Sequence, residues 1–471
     1  MSDTIDTTPK RNAYDSEPPP KLLAFMVTGW APQAGIPDRV VGAEHFLARR
    51  EAIARQFPGE TLVVPTGREK TRANDTQYRF RPGTDFYYLT GSLEPEGVLV
   101  LEPAGDRHRS ILYVEPNPGK SVPTFFTDRA RGELWVGPRL GVPESEHRYA
   151  VDEARPLETL FDALPAGGFR ALRGLDGKLD TLMPEQTERD AAFAAALSEM
   201  RLLKDAHEVG ELERAIAATV AGFEDVVRAL PHSTSERHVE GHFALRARVD
   251  GNDVGYNTIA AAGVHACILH WTANDGRLKT GDLLLLDAGV EAHTLYTADV
   301  TRTIPLSGTF SAEQRAIYDL VYAAQEAALA RCAPGNDFLD PNRAAMAVLA
   351  AGLERLGILA SAADALADEH QFYKRYSLHN VSHMLGLDVH DCAHARMETY
   401  KFGKLAPGMV LTVEPGLYFQ PDDLTVPERY RGIGVRIEDD ILITAGGHRL
   451  LSGDLPREGS AVEAWMHRLW S

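Results

Sequence analysis

The 471 residues exceed what one hydrophobic core usually organises, so two domains are expected, and with 44% hydrophobic and 25% charged residues neither disorder nor a fibrous repeat is indicated. A formal net charge of -18 argues against a nucleic-acid partner, whose backbone is held by clustered Lys and Arg. Three unpaired-looking cysteines, Cys267, Cys332 and Cys392, fit a reducing compartment; with no apolar run of about 18 residues and no basic-then-apolar leader, a cytoplasmic protein with no membrane partner is expected.

Residues 1–37 are polar and include Pro18, Pro19 and Pro20, which predicts a largely mobile extension. The stretch EHFLARREAIARQF has helical spacing and leads into the apolar runs TLVVP and GVLVLEP, the alternation of a smaller α/β domain placed at 38–199. A charged helix over 200–230 (MRLLKDAHEVGELERAIAATVAGFEDVVRAL) then opens a second domain, 200–471. Within it follow the strand-like DLLLLDAGV and DVTRTIP, a helix begun by a capping box of Ser311 and Gln314, and the strand-like MVLTVEPG and GVRIEDDILIT. Two hairpin-like strand pairs separated by helices give an α+β class, and no solenoid period is present.

The chemistry concentrates in that second half. Asp287 ends one apolar run and Asp299 precedes the next, so neighbouring antiparallel strands would bring two carboxylates together; Glu414 and Glu438 repeat the pattern. A single acid at a strand end often caps a turn. Four in apolar strands cost several kcal/mol each unless a cation meets them. Side-chain alternation puts Arg436 and Glu438 on one face of their strand, with Ile437 on the other. The run SLHNVSHMLGLDVHD adds His379, His383 and His390, and imidazole with carboxylates is a donor set for Mn, Co, Fe or Zn. His379 and His383 share the spacing of a zincin helix, but Asn380 stands where the catalytic glutamate would be. Cys267 and Cys392 lie near histidines without an activating constellation and read as packing residues.

In order, DAGVE, TADVTRT, HNVSHMLGLDVHD, TVEPGLYF and GIGVRIEDD resemble the pita-bread metallopeptidases, and within them the proline-specific Xaa-Pro aminopeptidases (aminopeptidase P), with prolidase as a near relative. YNTIAAAGVHACILHW, TRANDTQYRFRPGTDFYYLTG and GELWVGPRLG resemble the same branch. The resemblance implies a C-terminal pita-bread (creatinase/aminopeptidase) domain behind a smaller α/β domain. It implies two divalent metal ions, typically Mn2+ with Zn2+, Co2+ or Fe2+ as alternatives, held by Asp287, Asp299, His383, Glu414 and Glu438, with Asp299 and Glu438 bridging. The implied reaction is attack of activated water on the carbonyl before proline, releasing the first residue of peptides with proline second.

By the same resemblance Glu414 shuttles a proton, His270 and His390 hydrogen-bond the substrate, and His379 lines the proline pocket. Arg436 and Tyr418 support the site, and Tyr256 lines it. Trp135 matches a tryptophan that reaches a neighbouring subunit's active site, where it would bind substrate, in a homodimer or homotetramer; its plainer reading is a core aromatic. Asp287 and Asp299 lie twelve apart, one more than the family's spacing, which a longer turn would accommodate. The alternatives are a prolidase, which would cleave only dipeptides, and a metal-free pita-bread binding protein, which the intact donor set disfavours.

Overall fold

A computed structural model describes residues 17–31, 35–165, 169–183 and 185–471. The chain divides into two compact units, the first ending at Asp190 and the second running Ala191–Ser471. Much of the expected extension lies outside the described residues, but Pro20–Met26 is a helix rather than loose chain, begun by a proline at its first position, where no amide hydrogen is needed.

In the first unit, helix α1 (Ala43–Gln56) accompanies a five-stranded mixed sheet of β1 (Thr61–Pro65), β2 (Val98–Ala104), β3 (Arg107–Val114), β4 (Glu153–Pro156) and β5 (Phe169–Ala171), in the order β4-β3-β2-β1-β5. β1 is buried along its whole length, as expected of a central strand covered on both faces. Val63, Val98, Val100, Ile111 and Tyr113 form its core with Leu160, Phe169 and Leu179.

The second unit opens differently from the single helix read over 200–230. One helix ends at Met200, and the next, α2 (Ala206–Ala229), starts afresh. Asp205 causes the break: its carboxylate accepts the Glu208 N–H at 2.9 Å, and Glu208 returns the bond to the Asp205 N–H at 3.0 Å. That reciprocal cap begins a helix and excludes a continuing one.

After α3 (Glu236–Asp250), strands β6 (Ile259–Ala262), β7 (Leu283–Ala288) and β8 (Val300–Pro305) form an antiparallel sheet with β7 central. Asp287 pairs with Thr301 on one side and Ile259 on the other. Helix α4 (Ala312–Leu329) carries the expected Ser311–Gln314 box, and α5 (Asp340–Arg355) packs on it. The last strands are β9 (Val410–Val413), β10 (Gly416–Tyr418), β11 (Gly434–Arg436), β12 (Asp439–Thr444) and β13 (Gly447–Leu450); β9, β12 and β13 form one sheet, and β10 pairs with β11. One apolar core runs beneath these sheets, from Phe223 and Phe243 through Leu284 and Leu286 to Leu411, Val435 and Ile441. Acidic side chains thus hang from strands whose other face is fixed in a packed interior. Among the described residues, no helix is long and apolar enough to cross a membrane.

Candidate active site

Asp287 and Asp299 meet as their sequence positions predict, on paired strands. A Cβ at Gly289 would lie 1.7 Å from the Ala298 carbonyl oxygen, so only glycine lets the chain beyond Asp287 pass this close to the residue before Asp299. The segment between the aspartates closes as a tight hairpin tip. Ala292 N–H donates to Tyr296 O at 2.8 Å and Leu295 N–H to Ala292 O at 2.9 Å, with Leu295 left-handed at φ 65°. The strands below the tip keep their register.

The remaining donors come from three other segments. Glu438 follows β11, accepts the Thr301 hydroxyl at 2.6 Å and gives its N–H to Thr301 O. Glu414 follows β9, and its N–H donates to Val381 O at 2.8 Å, beside His383. His383 turns Nε2 toward Asp299 Oδ2 at 3.3 Å and Glu414 Oε1 at 3.4 Å, while Nδ1 meets the Met384 carbonyl at 3.2 Å. A carbonyl only accepts, so Nδ1 carries the hydrogen and Nε2 is the nitrogen offered to a ligand. Asp299, His383 and Glu438 present donor atoms within 4.8 Å of one another, and Asp287 and Glu414 line the same cleft.

The charges require a cation. Burial pushes the Glu438 carboxyl well above its usual range, and Asp299, Glu414 and Asp287 push it further. Glu414 is pushed up to about 7, by burial foremost, with Asp299 and Asp287 adding to it against His383 and Arg436. Burial alone would lower His383, yet Asp299 and Glu414 hold its imidazole up at about 9. In other words, the carboxylates draw a proton onto the one nitrogen that a metal would use. Three buried acids and the half-buried Glu414, faced by Arg436, are a metal site's electrostatics, and the donor set of carboxylate oxygens and one imidazole fits a hard or borderline divalent ion.

Around the acids stands a ring of hydrogen bonds. Arg436 Nη2 donates to Asp287 Oδ2 at 2.5 Å and Nη1 to the Tyr418 hydroxyl at 2.9 Å. With its oxygen accepting from arginine, Tyr418 gives its own hydrogen to His379 Nε2 at 2.7 Å, and His379 Nδ1–H is left for the Asn380 carbonyl at 2.9 Å. Burial and Arg436 lower His379 to about 4, so it is neutral and its 3.4 Å approach to Glu414 is no ion pair. Tyr256, expected to line the site, also bonds the acids directly: its hydroxyl lies 2.6 Å from Asp287 Oδ1 and 2.5 Å from Asp299 Oδ1. His270 and His390 are exposed at the cleft, His390 with its ring 4.5 Å from that of His383.

The cleft has a volume of about 600 Å³, and apolar Ile259, Leu269 and Val389 complete its wall. Trp135 lies in the first unit and is 51% exposed, which removes the core-aromatic reading; its indole N–H donates to Phe126 O. Sequence reasoning missed Asp440, a fully buried acid that accepts the Asp299 N–H at 3.1 Å, and Thr301. The adjacent acids in RIEDD were the available signal for the former; nothing local marked the latter.

Comparison with known proteins agrees with this geometry. Residues 210–445 match the model of metallopeptidase family M24, and residues 46–168 match that of the aminopeptidase P N-terminal domain. The chain belongs to metallopeptidase family M24. It is 51% identical to Xaa-Pro aminopeptidase 1 of Streptomyces coelicolor over 95% of this chain and 92% of that one. Its identity to the Xaa-Pro aminopeptidase of Escherichia coli is 34%, over 90% of this chain and 98% of that one. The solved aminopeptidase P from E. coli with the inhibitor Pro-Leu superposes with a TM-score of 0.80 at 32% identity, covering 91% of this chain and 99% of that one. The chain is therefore a metal-dependent aminopeptidase, with the M24 catalytic domain behind an aminopeptidase P N-terminal domain.

Proposed function

We propose that this M24 enzyme releases the N-terminal residue from peptides whose second residue is proline, with two divalent cations, expected to be manganese, held by Asp287, Asp299, His383, Glu414 and Glu438. The observation that carries the reading is the gathering of three buried acids, the half-buried Glu414 and the His383 Nε2 at one cleft beside a fixed His379–Tyr418 wall. Similarity to Xaa-Pro aminopeptidases over nearly the whole chain supports the substrate class. The chemistry that divalent cations supply in such a site is polarisation of the peptide carbonyl and activation of water.

This chain's residues do the rest. Asp299 and Glu438, which share the donor cluster with His383, would hold the cations together with the other acids, and Arg436 offsets the surplus charge on Asp287. Glu414 passes a proton toward the prolyl nitrogen, which leaves without ever having carried an amide hydrogen. That missing donor defeats peptidases that hydrogen-bond it, so recognition falls to ring shape. Neutral His379, locked by Tyr418 and Asn380, gives the ring a rigid wall. His270 and His390, free at the cleft mouth to meet solvent or substrate, hydrogen-bond the scissile carbonyl region. Leu134, Trp135 and Val136, each half exposed, suit contact with a second copy in a homodimer or homotetramer, and a cytoplasmic setting fits three free, buried thiols.

The test is hydrolysis of a tripeptide with proline second against the Xaa-Pro dipeptide and a tripeptide with alanine second. Release of the first residue from the proline tripeptide alone or preferentially supports the reading. Cleavage confined to the dipeptide would make the enzyme a prolidase.

A further inference from the structure

The imidazole of His270 makes no hydrogen bond among the described residues, although it faces the reaction cleft. Its neighbour is held with unusual thoroughness. Glu236, the first residue of α3, is fully buried, and its carboxylate accepts four donors from the loop that carries His270. Oε1 takes the Ala262 N–H and His265 Nδ1, both at 2.8 Å; Oε2 takes the Trp271 indole N–H at 2.8 Å and the Gly276 N–H at 2.7 Å. The Glu236 N–H returns a bond to Gly276 O at 2.9 Å, and the His265 and Trp271 rings stack at 3.9 Å. A Cβ at Gly276 would meet the carboxylate at 2.8 Å, so the loop closes on Glu236 with no room for a side chain there.

We infer that Glu236, acting through Trp271, is the positioning residue for His270. One carboxylate anchors both ends of the 262–276 loop and, at its middle, the side chain immediately after His270. With Trp271 fixed by a hydrogen bond and a stacked ring, the shared peptide is fixed too. His270 is then aimed at the cleft without any bond of its own. Loop entropy that substrate binding would otherwise have to remove is already removed. Such a design leaves both imidazole nitrogens of His270 unengaged until a substrate arrives. The inference rests on the substrate-contacting role read for His270 above.

Trp271→Phe tests it, because phenylalanine keeps an aromatic ring beside His265 while losing the indole N–H that Glu236 accepts. On a proline-second tripeptide, kcat/KM is expected to fall at least tenfold, with the melting temperature of the metal-loaded enzyme held within a few degrees. In a His270→Ala background the same change should cost less than twofold, since its effect runs through the missing imidazole. Glu236→Gln, which places an amide among donors, should behave likewise where it folds. An equal loss in both backgrounds, or none in either, would overturn the positioning role alone. Full activity in His270→Ala itself would remove the role of His270 and the inference with it.

Discussion

Arg436 places Nη2 2.5 Å from Asp287 Oδ2 while only 3% of the residue is exposed, so the guanidinium is shut in with the acidic cluster it faces. The same side chain ties Tyr418 and, through it, His379, which links charge balance to the wall of the substrate cleft. Arg436→Ala removes both. Turnover of a proline-second peptide is expected to fall on the order of 100-fold, the usual loss when a buried donor leaves a reaction site. Circular dichroism should report a folded protein, because relief of desolvation partly offsets the lost pairs.

Chelation should soften the enzyme as well as silence it. Without cations the acids crowd around Glu438, balanced by Arg436 and a protonated His383. Divalent metal at about 1,000 times its Kd adds about 4 kcal/mol to a protein that binds it only when folded. Scanning calorimetry should therefore show a lower melting temperature after EDTA and a return with Mn2+. Glu438→Gln should melt higher than wild type in EDTA and gain less from metal.

Asp391 follows His390 and is buried against Arg201 Nε at 3.0 Å and Lys204 Nζ at 3.7 Å. Burial alone would raise its carboxyl; the two cations hold it below the usual range. A folded-state value below the unfolded one stabilises the protein above the ordinary carboxylate pKa of about 4, and that contribution fades as pH falls through and below it. Asp391→Asn should cost about 3 kcal/mol at pH 7, as for one partner removed from a buried pair, and progressively less in acid. Urea unfolding at the two ends of that range checks the sign.

Gly289→Ala meets the Ala298 carbonyl at 1.7 Å, a backbone atom that no rotamer change can move. Opening the hairpin would part Asp287 from Asp299. Destabilisation of about 3 kcal/mol is expected, with metal affinity falling more steeply than stability. Isothermal titration with Mn2+ beside a melting curve separates the two effects.

Cys267, Cys332 and Cys392 are buried, and burial pushes each thiol up to about 12. Thiolate is the reactive form, so a thiol reagent should leave the native enzyme active and label it only once unfolded. Rapid inactivation by such a reagent would point to an exposed thiolate near the cleft.

Much of the site was legible because it is written in strands. Period-two alternation places Asp287, Arg436 and Glu438, and antiparallel pairing of two apolar runs forces Asp287 beside Asp299. The Ser311–Gln314 cap is likewise local, and it formed as read. Long-range partners were not legible. Asp205 broke the helix expected over 200–230 through a cap that its apolar periodicity masks. Glu236 and Trp271 stand 35 positions apart, and neither residue type announces the other. Trp135, read either as a core aromatic or as reaching a neighbouring subunit's active site, lost only the core reading once its exposure was seen.

The measurement closest to the central claim is release of the first amino acid from a proline-second tripeptide by purified enzyme, before chelation, after it, and after return of Mn2+. Release that disappears with EDTA and recovers with metal, leaving the Pro-Xaa dipeptide intact, is the expected result. Undiminished release in EDTA, or no release from any such peptide once metal is restored, would contradict the account.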